Sequence, residues 1–172
     1  MADLSKFEHV EHEKLRRLLA YWLDLRGDNA VPLRSQLDPI AIPWVLSYIW
    51  LMQLDREVDR FRYRLAGESI QDMYDQNLTG KTIFDLMDEE IATIVDAKFH
   101  RVCQEPVICH DIGPVYTRTN RPGLGERLIL PLAADENDGG FILGSTIYDW
   151  LGFTEPPEDA TIAYTTTSIG IL

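Results

Sequence analysis

Cysteine is scarce in this chain: Cys103 and Cys109 are the only two in 172 residues. So few exclude a disulfide scaffold, and their spacing matches neither a zinc knuckle nor a CxxC redox pair, so both read as ordinary thiols. Long apolar runs are missing as well. No stretch approaches the roughly 20 residues that cross a bilayer as a helix, and Met1-Ala2-Asp3 leads into charge rather than into the apolar core of an export signal. The expectation is a cytoplasmic protein. Positive charge is outnumbered, 16 Lys and Arg against 28 Asp and Glu, for a formal net charge of −12. That field repels phosphate backbones and anionic lipid heads, so neither nucleic acid nor a membrane surface is an expected partner. The densest basic stretch, Arg56 to Arg64, is interrupted by Glu57 and Asp59, as in a turn and a solvated strand. A glycine-rich phosphate loop, a nucleophile elbow and an internal repeat are also missing.

What is present suffices for a core: 45% apolar residues, with four Trp, seven Tyr and six Phe, in a length typical of one domain. Between His9 and Arg26, Leu15, Leu18, Leu19, Trp22 and Leu25 recur at steps of three and four, which predicts an amphipathic helix ending at Gly27. Residues from Pro32 to Tyr48 read as a turn and a short helix. Two β-rich runs, Ile49–Leu54 and Phe61–Gly67, flank a charged turn and predict a hairpin. In the second run Phe61, Tyr63 and Leu65 alternate with Arg62, Arg64 and Ala66, placing the first three on a buried face.

The stretch from Glu68 to Gln104 predicts short helices near Ile70–Tyr74 and from Ile83, then a longer helix from Glu89 with Ile91, Ile94, Val95, Phe99 and Val102 on one face. Strands follow at Val107–Ile112, Arg127–Leu132 and Phe141–Tyr148. Gly123 and Gly125 mark a loop, and Asn137-Asp138-Gly139-Gly140 marks a tight turn. The Pro- and Thr-rich end, from Glu155, reads as an appendage. The order implies an α+β fold around one antiparallel sheet, with a flanking helix (residues 1–31), a main domain (32–150) and a tail (151–172).

Two strands, a helical middle ending in a longer helix, and three closing strands are the layout of the PAS fold. Phe61-Arg62-Tyr63-Arg64-Leu65-Ala66-Gly67, then Asn77-Leu78-Thr79-Gly80-Lys81, preceded by Leu37-Asp38-Pro39, resembles the compact PAS family found as small stand-alone proteins in alphaproteobacteria. The resemblance covers roughly residues 32–150. It implies a PAS-like five-stranded antiparallel sheet whose concave face, closed by the helical middle, forms a pocket for haem, a flavin or a small metabolite, or else a dimerisation module without ligand.

Such a pocket would be walled by Tyr63, Leu65, Tyr74, Phe84, Phe99 and Leu130, residues that equally well only fill the core. Arg64 could hold an anionic ligand, but alternation turns it away from Tyr63 and toward a salt bridge on the outer face. Haem-binding PAS domains carry a histidine on the long helix. His100 lies on that helix here but about half a turn from its apolar face, which argues against haem. Gly80-Lys81-Thr82-Ile83-Phe84 lacks the reactive cysteine of flavin photoreceptors. Glu8, His9, Glu11, His12 and Glu13 resemble a metal cluster, although solvated residues at a frayed helix start are far commoner, so no metal is expected.

The stripe Leu15, Leu18, Leu19 and Trp22 could cap its own sheet or meet the same helix of a second copy, and the homodimer is the expectation. No output domain fits in the 22 residues after Trp150. The resemblance therefore implies a sensor, with or without a small-molecule ligand, that signals to a partner protein in trans. An enzyme using Asp72, Asp75 or Asp111 for acid–base chemistry is the alternative, as is a pure docking module.

Overall fold

The computed structural model describes residues 4–115, 123–134, 140–150 and 163–168, the last of these through their backbone. In chain order they form α1 (Glu13–Arg26), β1 (Ile49–Asp55), β2 (Arg60–Ala66), α2 (Glu68–Tyr74), α3 (Glu89–Gln104), β3 (Val107–Val115), β4 (Gly123–Leu132), β5 (Phe141–Trp150) and β6 (Ala163–Ser168), with short 3-10 turns between. The strands make one antiparallel sheet in the order β2-β1-β5-β4-β3-β6. Its first five strands, with α2 and α3 between the second and third, are the expected α+β arrangement. The sixth comes from the expected appendage: β6 lies along β3, from Val107 opposite Ser168 to Ile112 opposite Ala163. The three threonines of β6 are β-branched, which suits a strand. The turn expected at 137–140 falls mainly outside the described residues.

Each face of the sheet carries its own apolar layer. On one face α1 lays Leu15, Leu18, Leu19 and Trp22 against Ile49, Leu51, Ile108, Leu128, Leu130 and Leu143. The Trp22 indole N–H donates to the Pro131 carbonyl at 2.9 Å. Gly27 stops the helix at φ +53°, a left-handed value that favours glycine, and its N–H donates to the Leu23 carbonyl. All four stripe residues are 0% exposed within the single chain. The expected dimer contact is therefore corrected: the sheet of the same molecule uses up the stripe.

The other face is covered by α2, the 3-10 turn Ile83–Asp85 and α3. Ala92, Phe99 and Val102 of α3 point inward, with Val95 beside them. Ile94 does not share that face: it stands about 140° around the helix from Phe99 and is 64% exposed. Strand alternation also fails at one place. Leu51 pairs with Leu65 and Met52 with Tyr63, so Arg64 is an extra residue in a β-bulge. The bulge reverses the facing of everything after it. Leu65 consequently follows Leu51 to the α1 face, beyond the reach of α1, and is 44% exposed. Gly123 and Gly125, expected in a loop, belong to β4, where they pair with Trp150 and Tyr148. A Cβ on Gly125 would lie 2.3 Å from the Ile147 carbonyl oxygen, so that close approach requires glycine.

Candidate functional site

The α3 face, covered by the helical middle, is the side of the sheet on which the PAS resemblance places a pocket. Its centre is aromatic because β1 and β2 turn Trp50, Phe61 and Tyr63 toward α3, which supplies Phe99. Ring centroids lie 5.5 Å apart for Trp50 and Phe99, 5.8 Å for Phe61 and Phe99, and 6.3 Å for Trp50 and Tyr63, the spacing of tilted and edge-to-face pairs. Gly144 of β5 lies opposite Trp50 and makes room for its indole, because a Cβ there would sit 2.0 Å from the ring. Tyr74 and Phe84, both half-buried, pack at the margin of the same cluster. Tyr63, Tyr74, Phe84 and Phe99 thus pack in one cluster, whereas Leu130, 0% exposed, belongs to the α1 face and Leu65 is turned away by the bulge. Arg64 is exposed, and among the described residues it has no ion-pair partner. The outer-face salt bridge expected for it is corrected, because the bulge carries Arg64 out of register.

Beside this cluster a surface groove of about 430 Å³ is lined by Val58, Arg60, Arg62, Thr82 and Asp85. Its cations are largely engaged. The Arg62 Nε donates to Asp55 at 2.7 Å, while the Arg60 guanidinium lies 3.9 Å from the centroid of the Phe84 ring. Asp85 accepts from both the backbone N–H and the hydroxyl of Thr82, and those bonds hold its carboxyl below the usual carboxylate value.

Three acid-bearing clusters lie elsewhere. Asp111, an acid named as a catalytic alternative, is buried in β3 and paired with Lys98 at 3.0 Å, while Asp72 and Asp75 are exposed. Asp96 of α3 is pushed above the usual carboxylate value by burial, partly offset by His100, whose Nε2 is 3.3 Å away. His100 leans edge-on against Phe61 with centroids 5.2 Å apart, and its Nε2 is 3.3 Å from the Asp59 carbonyl, so the β1–β2 turn engages it.

On the α1 face, His110 of β3 and Glu126 of β4 are diagonal neighbours. The His110 Nε2 lies 2.7 Å from the Glu126 Oε1. Glu126 also accepts the backbone N–H groups of Glu11 and His12, each at 2.8 Å. Burial opposes ionisation of Glu126, but the bonds from His110, His12 and Glu11 outweigh it and hold the carboxyl below its usual value. The start of α1 is therefore anchored through the Glu11 and His12 backbone, which corrects the expected fraying, while Glu8, Glu11 and Glu13 are exposed as expected of a solvated segment. Sequence reasoning overlooked the His110–Glu126 pair and Asp96. The available signal was His110, a titratable side chain that follows the apolar run Val107-Ile108-Cys109. Among the described residues no set of three or more His, Cys, Asp or Glu side chains is arranged to hold a metal ion, and no helix is long and apolar enough to cross a membrane.

Comparison with known proteins gives one result. A family model described as PAS domain matches residues 10–147, a span that takes in α1, five strands and both covering layers but not β6. No curated protein and no solved structure matches the chain. The match spans most of the sequence: the chain belongs to the PAS domain family.

Proposed function

We propose that this PAS domain is a signalling module that works in trans through protein contacts, with its α3-face core closed by its own aromatic side chains. The observation that carries this reading is the packing of Trp50, Phe61, Tyr63 and Phe99, whose rings occupy the space between the sheet and α3 in which a family ligand would sit. Rings at these separations leave each other as the principal contact partners. A signal must then be received and passed on at the surface, by differential binding of another protein to alternative states of the module. A second reading, a small-molecule sensor, is favoured by the groove of about 430 Å³ lined by Val58, Arg60, Arg62, Thr82 and Asp85, a polar recess beside the aromatic cluster.

Native and denaturing mass spectrometry of freshly purified protein, with an absorption spectrum of the same sample, separates the two. The expected result is a bare chain mass under both conditions and no visible absorbance. A stoichiometric non-covalent adduct, or a chromophore, would overturn the closed-core reading in favour of the sensor.

A further inference from the structure

The segment that leads into α1 is fastened to the sheet by ionisable groups rather than by apolar contact alone. Val10 is fully buried, and His9 tucks its ring against His110, centroids 5.1 Å apart. The Nε2 of His9 is sealed from solvent and has no hydrogen-bond partner among the described residues. Glu126 is already committed: its Oε1 receives the Glu11 N–H and His110, and its Oε2 receives the His12 N–H. A proton added to His9 would therefore place a positive charge against the His110 ring and leave the sealed Nε2 of a charged imidazole with no free acceptor.

We propose that His9, His110 and Glu126 form a proton-operated latch, which holds residues 9–12 and the start of α1 on the sheet when His9 is neutral and lets them go when it is protonated.

The direction follows from the surroundings. Burial lowers the proton affinity of His9 most, the neighbouring His110 lowers it further, and Glu126 offsets part of both. A histidine held below its ordinary value costs the latched state nothing above that value. It weakens the latch as pH falls below about 6.5, the ordinary histidine value. Glu126, held below its usual value, adds a second loss at still lower pH, as it too becomes protonated. Other charged groups of the segment, of α1 and of the neighbouring strands act elsewhere. The Arg16 guanidinium donates to the Val10 carbonyl. Glu8 and Glu11 are exposed. Lys98 and Asp111 pair with each other, and Arg127 donates to the Thr146 hydroxyl. His12 forms the N-cap of α1, its Nδ1 accepting the Lys14 N–H, and its own protonation must be separated from that of His9.

The test is amide hydrogen exchange at Glu11 and His12, whose N–H groups Glu126 holds, at about pH 7.5 and about pH 5.5, on either side of the ordinary histidine value. After correction for intrinsic exchange, protection at these two amides is expected to fall by up to about tenfold per pH unit for one linked proton, while the β1 amides of Trp50 and Met52 keep theirs. His9→Phe keeps a ring in place and removes the titration, so its Glu11 and His12 amides should stay protected at the lower pH. His9→Gln serves the same purpose if the larger ring disturbs folding. Equal wild-type protection at both pH values would overturn the latch. So would a His9 variant that loses as much protection as wild type, since the loss would then belong to the His12 cap.

Discussion

The two faces of the sheet are covered to similar effect by different means. On the α3 face, rings fit against rings, with Gly144 making room for Trp50, and the Lys98–Asp111 ion pair ties α3 to β3. On the α1 face an aliphatic layer and Trp22 supply the contact, while the titratable trio fixes where the covering segment begins. Apolar burial is non-directional and sets how firmly a layer adheres, whereas hydrogen bonds to a charged group set its register and make it responsive to pH. The α3 face thus resembles a closed core, and the α1 face a core with a switchable margin.

The sharpest way to break that comparison is to cut one large side chain from each face. Trp22→Ala and Phe99→Ala should each cost about 3–5 kcal/mol in urea unfolding, since both side chains are buried and Trp22 also leaves the Pro131 carbonyl without its donor. Comparable losses would make α1 as much a part of the fold as α3. If Trp22→Ala left monomer stability unchanged and altered only the molecular mass in solution, α1 would be an interface after all. A smaller effect is expected from Lys98→Met, which strands the Asp111 carboxylate in a strand where its side chain is 7% exposed. The expected loss is about 1–3 kcal/mol, and adding Asp111→Asn should recover part of it. No recovery would mean that the lysine contributes through its alkyl stem rather than its charge.

Much of this architecture was legible in local pattern. Leu15, Leu18, Leu19 and Trp22 repeat with the helical period, and Phe61 and Tyr63 alternate before the bulge, so α1 and the β1–β2 hairpin could be read directly from the sequence. Tyr63 of the candidate site followed from the same alternation and Phe99 from the helical period, whereas Trp50 was not singled out, since its place depends on the room left by Gly144 across the sheet. Failures arose where a non-local event overrode the period. One added residue at Arg64 sent Leu65 to the opposite face, and the pairing of β4 decided that Leu130 faces α1. Residues 163–168 become a strand because the edge of β3 is there to receive them. The latch was illegible because Glu126 and the amides it holds are 115 and 114 residues apart in sequence.

The gentlest probe of the comparison leaves stability untouched and asks whether the α3 face opens. Cys103 of α3 points its thiol at the Phe141 carbonyl, 3.6 Å away, and burial pushes its pKa up to about 12. At about pH 8 only about one thiol in ten thousand would then be ionised, and the thiolate is the form that alkylates. Iodoacetamide is therefore expected to leave Cys103 unmodified in the native protein over a time that labels it fully in urea, as read by intact-mass and peptide mass spectrometry. Buried Cys109 of β3 provides the reference. If Cys103 reacted quickly while Cys109 stayed protected, α3 would be lifting from a sheet that remains intact. The aromatic layer would then be a gate that admits a ligand, and the contrast between a closed face and a switchable one would disappear.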